Sequence, residues 1–210
     1  MTKEDVKISP QLGQVIERWP HDQKLALGHM LAARATDFKK AYDIGGPVEF
    51  VKAFYEMFDK TMASARAKQG EDVSCKKGCH LCCRQNVDVS EPEVLLIVEF
   101  CKENNIPIPK ERLLSQLKYG IKEVARTEEG WCVFLKGKEC GIYDVRPMAC
   151  RKYLVASPPE MCDVVAFPSE IFRVSVVVYT TVEIEAAAFF SVVDTVKAGR
   201  MPQLLLPYSK

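Results

Sequence analysis

A chain of 210 residues, 48% of them apolar, can build a hydrophobic core without disulfide staples. Its 29 Lys and Arg against 28 Asp and Glu leave a net charge of +1, which excludes the strong global field of a nucleic-acid or anionic-membrane binder. The opening MTKEDVKISPQLG has acids and Pro10 where a secretory signal needs an unbroken apolar run, so the expectation is a cytoplasmic chain with reduced thiols.

Along the chain, residues 22–40 place Leu25, Leu27, Leu31 and Phe38 among charges and read as a helix following Pro20. Gly45-Gly46 breaks the chain, and Pro47 opens a second helix in which Val48, Val51, Phe54, Phe58, Met62 and Ala65 recur at spacings of three or four. The run Cys75-Lys-Lys-Gly-Cys79-His-Leu-Cys82-Cys83 is too crowded with candidate ligands for ordinary helix or strand and is expected as a tight loop. Ser90 with Glu93 makes a capping box, Pro92 suits a first turn, and the helix that follows ends at Asn104-Asn105. Leu113, Leu114, Leu117, Ile121 and Val124 give another helical stripe, weakened by Gly120.

From Cys132 to Cys162 there are few periodic apolar positions and several turn residues, so cysteine ligation is expected to organise the segment. Ser169 to Lys197 has β-branched residues at 174–184 but reads as helix on length and on the Ala186 to Phe190 run. Its apolar stretch, Val174 to Val193, is interrupted by Glu183 and Glu185 and does not read as a membrane span. The tail after Gly199 reads as a packed or loosely ordered extension. The fold class expected is mainly α, with helices packed around an irregular, cysteine-ligated metal-binding core. It is read as a single domain over 1–210, with a helical part at 1–70, the cysteine core at 75–162 and a helical part at 165–210.

Nine cysteines, an odd number in a chain without a secretion signal, argue for thiolate chemistry rather than a disulfide framework. Cys75, Cys79, Cys82 and Cys83 fall together, and Cys132, Cys140, Cys150 and Cys162 follow as a second group of four. Zn²⁺ sites and iron-sulfur clusters both take four thiolates, commonly from close-spaced pairs plus distant ones. The adjacent Cys82 and Cys83 diverge in extended backbone, so they are candidates for different centres; one centre with spare thiols stays open, and spacing does not assign ligands to sites. Around these groups eight basic residues (Lys76, Lys77, Arg84, Lys136, Lys138, Arg146, Arg151, Lys152) stand against Glu139 and Asp144, a concentration that would offset a tetrathiolate charge. Cys101 lies alone in an apolar run and reads as a buried core thiol. His80 is an imidazole within the first group, but eight sulfurs suffice without it; His21 and His29 read as ordinary helix residues, and Tyr143, Arg146 and Pro147 as supports of the thiolates.

Cys75-x3-Cys79-x2-Cys82-Cys83 followed by Cys132-x7-Cys140-Gly-Ile-Tyr143-x2-Arg146-Pro147-x2-Cys150-Arg151 resembles the YkgJ-type cysteine-cluster family, described as zinc- or iron-chelating. Many members begin with C-x2-C where this chain has C-x3-C. The resemblance covers about residues 75 to 151 and implies metal binding; a similar cluster in flagellin lysine methylases is associated with an iron-sulfur centre. The function expected is therefore a metal-binding protein holding an iron-sulfur cluster, such as a 4Fe-4S centre, or Zn²⁺, without autonomous catalysis. Two other readings compete. One is a zinc-stapled module that binds a protein partner. The other is an iron-sulfur enzyme, because Cys75-x3-Cys79-x2-Cys82 also resembles the spacing of radical S-adenosylmethionine enzymes; that class requires repeated strand-helix units, which residues 84–210 do not display.

Overall fold

A computed structural model of the chain describes residues 10–70, 72–76, 78–166, 174–193 and 197–210. In chain order the helices are α1 (Pro10–Ile16), α2 (His21–Gly45), α3 (Pro47–Gln69), α4 (Glu91–Glu103), α5 (Lys110–Lys118), α6 (Ile121–Val124), α7 (Met148–Lys152), α8 (Thr180–Val193) and α9 (Met201–Leu205). The strands are β1 (Asp88–Ser90), β2 (Leu135–Lys136), β3 (Glu139–Cys140) and β4 (Ala198–Arg200), and the fold is mainly α. No helix among the described residues is long and apolar enough to cross a membrane.

The chain forms two compact units, Met1–Gly70 with Val178–Lys197, and Glu71–Val177 with Ala198–Lys210. In the first, α2 buries Leu27, Leu31, Ala35 and Phe38, which recur at spacings of four, four and three and so share one face. Gly46, at φ 78°, separates α2 from α3 in a conformation that favours glycine, and Pro47 takes the first position of α3. Rings of Phe38, Phe50 and Phe54 pack against one another, and Phe189 of α8 lies 4.3 Å from Phe54, centroid to centroid. Helix fills only Thr180–Val193 of the 169–197 stretch read as helical; residues 174–177 run extended in the second unit, with a bridge between Val176 and Val155, and residues 169–173 and 194–196 lie outside the described set.

The second unit centres on α4. Ser90 precedes it and Pro92 lies in its first turn, while its far end closes at Asn104 and Asn105, the latter at φ 53°, where Ile106 N–H returns to Cys101 C=O at 2.8 Å. Val94, Ile97 and Cys101 of α4 join Leu113, Val133, Phe134, Ile142, Met201, Leu204 and Leu205 in one apolar core. The stripe expected to run through Gly120 is broken into α5 and α6, because Glu123 turns back to accept the Gly120 N–H at 3.2 Å and starts a new helix there. The tail is packed: β4 pairs antiparallel with β1, and Leu205 is fully buried. The Cys132 to Cys162 segment also has more apolar support than its pattern announces, since Phe134, Ile142, Met148 and Val155 are all buried.

Candidate metal centre

All nine cysteines are free thiols. The first group starts on a stretch paired with distant backbone: Ser74 N–H donates to Val155 C=O at 2.8 Å, and Val155 N–H donates to Cys75 Sγ at 3.4 Å. Gly78, at φ 83°, then reverses the chain, and Cys79 N–H closes on Lys76 C=O at 3.0 Å. The expected tight loop continues as a 3₁₀ turn over Leu81–Arg84. With three residues per turn, successive side chains leave a 3₁₀ helix about 120° apart, yet the thiols of Cys82 and Cys83 remain close enough to hydrogen-bond to each other.

The second group is fastened to the first. Cys132 N–H donates to Cys83 C=O at 2.8 Å, and the β2–β3 hairpin that follows brings Cys140 opposite Leu135, with Gly137 in its turn at φ 61°. Gly141 lies so close to this hairpin that a Cβ there would stand 3.0 Å from Phe134 O. Pro147 precedes α7, whose Cys150 N–H returns to Pro147 C=O at 2.9 Å. Cys162 ends the 3₁₀ turn Pro159–Cys162 and packs in one apolar cluster with Cys75, Leu81 and Val155.

Backbone N–H groups point at the sulfurs in a repeated way. Cys79 Sγ accepts from Leu81, Cys132 Sγ from Phe134 and Cys140 Sγ from Ile142, each donor two residues beyond its cysteine. Such donors favour the thiolate, but burial is the larger influence and raises Cys75, Cys79, Cys132, Cys140, Cys150 and Cys162, with Cys132 and Cys162 at about 11. Cys82 and Cys83 share a hydrogen bond that holds Cys82 below the ordinary thiol range and Cys83 far above it. Among the described residues, no three His, Cys, Asp or Glu side chains converge on one point as they stand. Neutral thiols have no attraction that would draw four sulfurs together, which is what a bound cation supplies.

Of the eight basic residues, Arg146 does most for the sulfurs: its charge favours the thiolates of Cys75, Cys82, Cys140 and Cys150. Its guanidinium lies 4.1 Å from the Tyr143 ring centroid, and its Nε is buried with no hydrogen-bond partner among the described residues. Arg151 acts on the backbone instead, donating to the carbonyls of Arg146 and Asp144 and so bracing the turn before α7. Arg84 stacks on Trp131 at 4.1 Å, and His80 sits 5.3 Å from the same ring with Nδ1 facing Gly78 O at 3.3 Å. His21 and His29 are exposed on α2. The donors present, thiols beside a guanidinium Nε without an acceptor, suit a soft metal in a negatively charged thiolate site.

Residues 74–167 match the family model CxxCxxCC, described as a putative zinc- or iron-chelating domain. This segment resembles that domain. It takes in all eight grouped cysteines. No curated protein and no solved structure matches the chain.

The matched segment is also braced by a residue that the sequence presented only as a helix cap. Glu93 is 1% exposed; its Oε2 accepts from Ser90 N–H at 2.9 Å and Ser90 Oγ–H at 2.8 Å, and its Oε1 from Met148 N–H at 2.8 Å. One carboxylate thus caps α4 and holds the start of α7, two residues before Cys150. The capping box was readable from Ser90 and Glu93, but no local signal links Glu93 to a residue 55 positions away.

Proposed function

We propose that the matched segment binds metal through Cys75, Cys79, Cys82, Cys83, Cys132, Cys140, Cys150 and Cys162, and that it holds an iron-sulfur centre in preference to Zn²⁺. The observation that carries this reading is the set of backbone N–H groups aimed at Cys75, Cys79, Cys132 and Cys140 from four separate stretches of chain. An ordinary core thiol needs no donor, and Cys101, buried among apolar side chains, has no backbone donor among the described residues. Thiolates do, because each bond offsets negative charge and tunes the centre that the sulfur holds. The preference for iron-sulfur over zinc rests on spacing: only Cys79-x2-Cys82 resembles a zinc knuckle, and the second group contains no C-x2-C pair.

Bound iron with sulfide would make this a structural or electron-transferring centre, because eight protein thiolates leave no need for an open metal position. The deciding measurement is metal and acid-labile sulfide content after anaerobic purification, with the absorption spectrum. Brown protein containing iron and sulfide is expected. Colourless protein with stoichiometric zinc and no sulfide moves the reading to a zinc-stapled module, and protein that is purified without metal and takes up neither zinc nor iron with sulfide on reconstitution overturns both.

A further inference from the structure

Given a metal-binding role for these cysteines, we propose that they form two neighbouring four-sulfur centres interleaved along the chain. Cys75, Cys79, Cys82 and Cys162 hold one, and Cys83, Cys132, Cys140 and Cys150 the other. The division does not follow the order of the sequence. Each centre takes three ligands from one cysteine group and a single ligand from the other, with the boundary falling at the Cys82-Cys83 peptide bond.

Packing and backbone geometry carry the assignment. Cys162 shares an apolar cluster with Cys75 and Leu81, and the turn Pro159–Cys162 lies against the turn Leu81–Arg84, so the last cysteine returns to the first group. Cys83 goes the other way, because its carbonyl receives Cys132 N–H at 2.8 Å. Cys132 and Cys140 pack together against the core around Phe134 and Ile142, a different apolar cluster from that of Cys162. The thiols of Cys82 and Cys83 hydrogen-bond to each other on the 3₁₀ turn, so the two centres meet at this pair.

Which thiols lie near enough to influence one another agrees with this packing for every sulfur except Cys82, which lies near both sets. Cys75, Cys79, Cys82 and Cys162 influence one another in every pairing. Cys132 and Cys140 influence each other, and each influences both Cys83 and Cys150. Cys162 is not among the main influences on Cys132, Cys140 or Cys150. Cys82 also hydrogen-bonds to Cys83 and acts on Cys132, Cys140 and Cys150, which makes the two centres neighbours that meet at Cys82 and Cys83. Arg146 lies between them, influencing Cys75 and Cys82 of one and Cys140 and Cys150 of the other.

Two double variants of the full chain separate this arrangement from one that follows sequence order. Reduced, metal-free protein is titrated with Co²⁺, whose thiolate complexes report sulfur ligation by charge-transfer and ligand-field absorption. Wild type is expected to bind two equivalents. Cys75→Ser with Cys162→Ser removes two ligands from the same proposed centre and should keep one equivalent with a full four-sulfur spectrum. Cys75→Ser with Cys83→Ser removes one ligand from each centre and should keep none. A division in sequence order requires the reverse, so that result overturns the proposal, as does equal behaviour of the two double variants in either direction. A single equivalent in wild type also overturns it while leaving cysteine-based metal binding intact, whereas no Co²⁺–thiolate signal in wild type defeats the metal-binding reading itself.

Discussion

Replacing Glu93 tests whether one buried carboxylate joins the helix cap to the cysteine-bearing α7. In Glu93→Ala, three buried donors lose their acceptor at once: Ser90 N–H, Ser90 Oγ–H and Met148 N–H. Ser90 is 2% exposed and Met148 fully buried, so water does not readily replace the oxygens. At about 1–3 kcal/mol for each stranded donor, and with the Ser90 hydroxyl free to rotate elsewhere, the expected loss is about 4 kcal/mol. In a domain of this size that corresponds to a fall in melting temperature on the order of 10 °C. Glu93→Gln is the more informative variant. Its carbonyl replaces one oxygen only, so the amide NH₂ must face either Met148 N–H or Ser90 N–H, and the expected loss is roughly 2 kcal/mol. Thermal and urea unfolding of the reduced, metal-free protein measures both. A Gln variant within about 0.5 kcal/mol of wild type, or one as unstable as the Ala variant, would refute the assignment of both carboxylate oxygens to buried donors.

Cys101→Ala should retain the full metal content and lose only about 1 kcal/mol of stability, since its sulfur fills space in the apolar core that includes Ile97 and Leu113; metal loss on this substitution would show that the core thiol has been misassigned. Burial raises the Cys101, Cys132 and Cys162 thiols to about 11, above the unfolded value of about 8.5, so the stability they contribute is fully present below about pH 8.5 and is lost as pH rises through 11. Denaturant melts of metal-free protein should therefore weaken between those limits, and a flat profile contradicts the burial argument. Metal uptake runs the other way, because raised thiols must release protons to bind; chelator competition should show affinity climbing from pH 6 to pH 9. The reduced, cluster-loaded protein should not convert S-adenosylmethionine to 5′-deoxyadenosine; turnover above a Cys79→Ser control would put the enzyme reading first.

Helices were legible where one local rule acted alone. Val51, Phe54 and Phe58 of α3 are buried at the expected spacing, and the α4 boundaries follow from Ser90, Pro92 and Asn104-Asn105. Reading failed where a distant or same-turn contact intervened. Gly120 ends one helix because Glu123 caps the next, and residues 174–177 run extended because Val155 offers a strand to pair with. Phe134, Ile142 and Met148 escaped notice because turns, and an α7 of only five residues, bury side chains without displaying a helical or strand period, which is why the cysteine segment looked dependent on metal alone.

The cysteines themselves illustrate a sharper limit. Their number and grouping follow from the sequence, yet the expected divergence of Cys82 and Cys83 gives way to a hydrogen bond between them, and which sulfur neighbours which depends on backbone contacts between distant residues. Ser74 pairs with Val155, 81 positions away, and Cys132 with Cys83, 49 positions away. Those contacts bind the first cysteine group to both ends of the second, so short spacing within a group is a poor guide to shared ligation. It gives two sulfurs a low closure cost, but a folded scaffold with its own apolar core has already met the closure cost for distant pairs. Here the clusters around Val155 and around Phe134 supply that scaffold. Metal would then draw together thiols that folding has already made neighbours, and their proximity should outlast its removal.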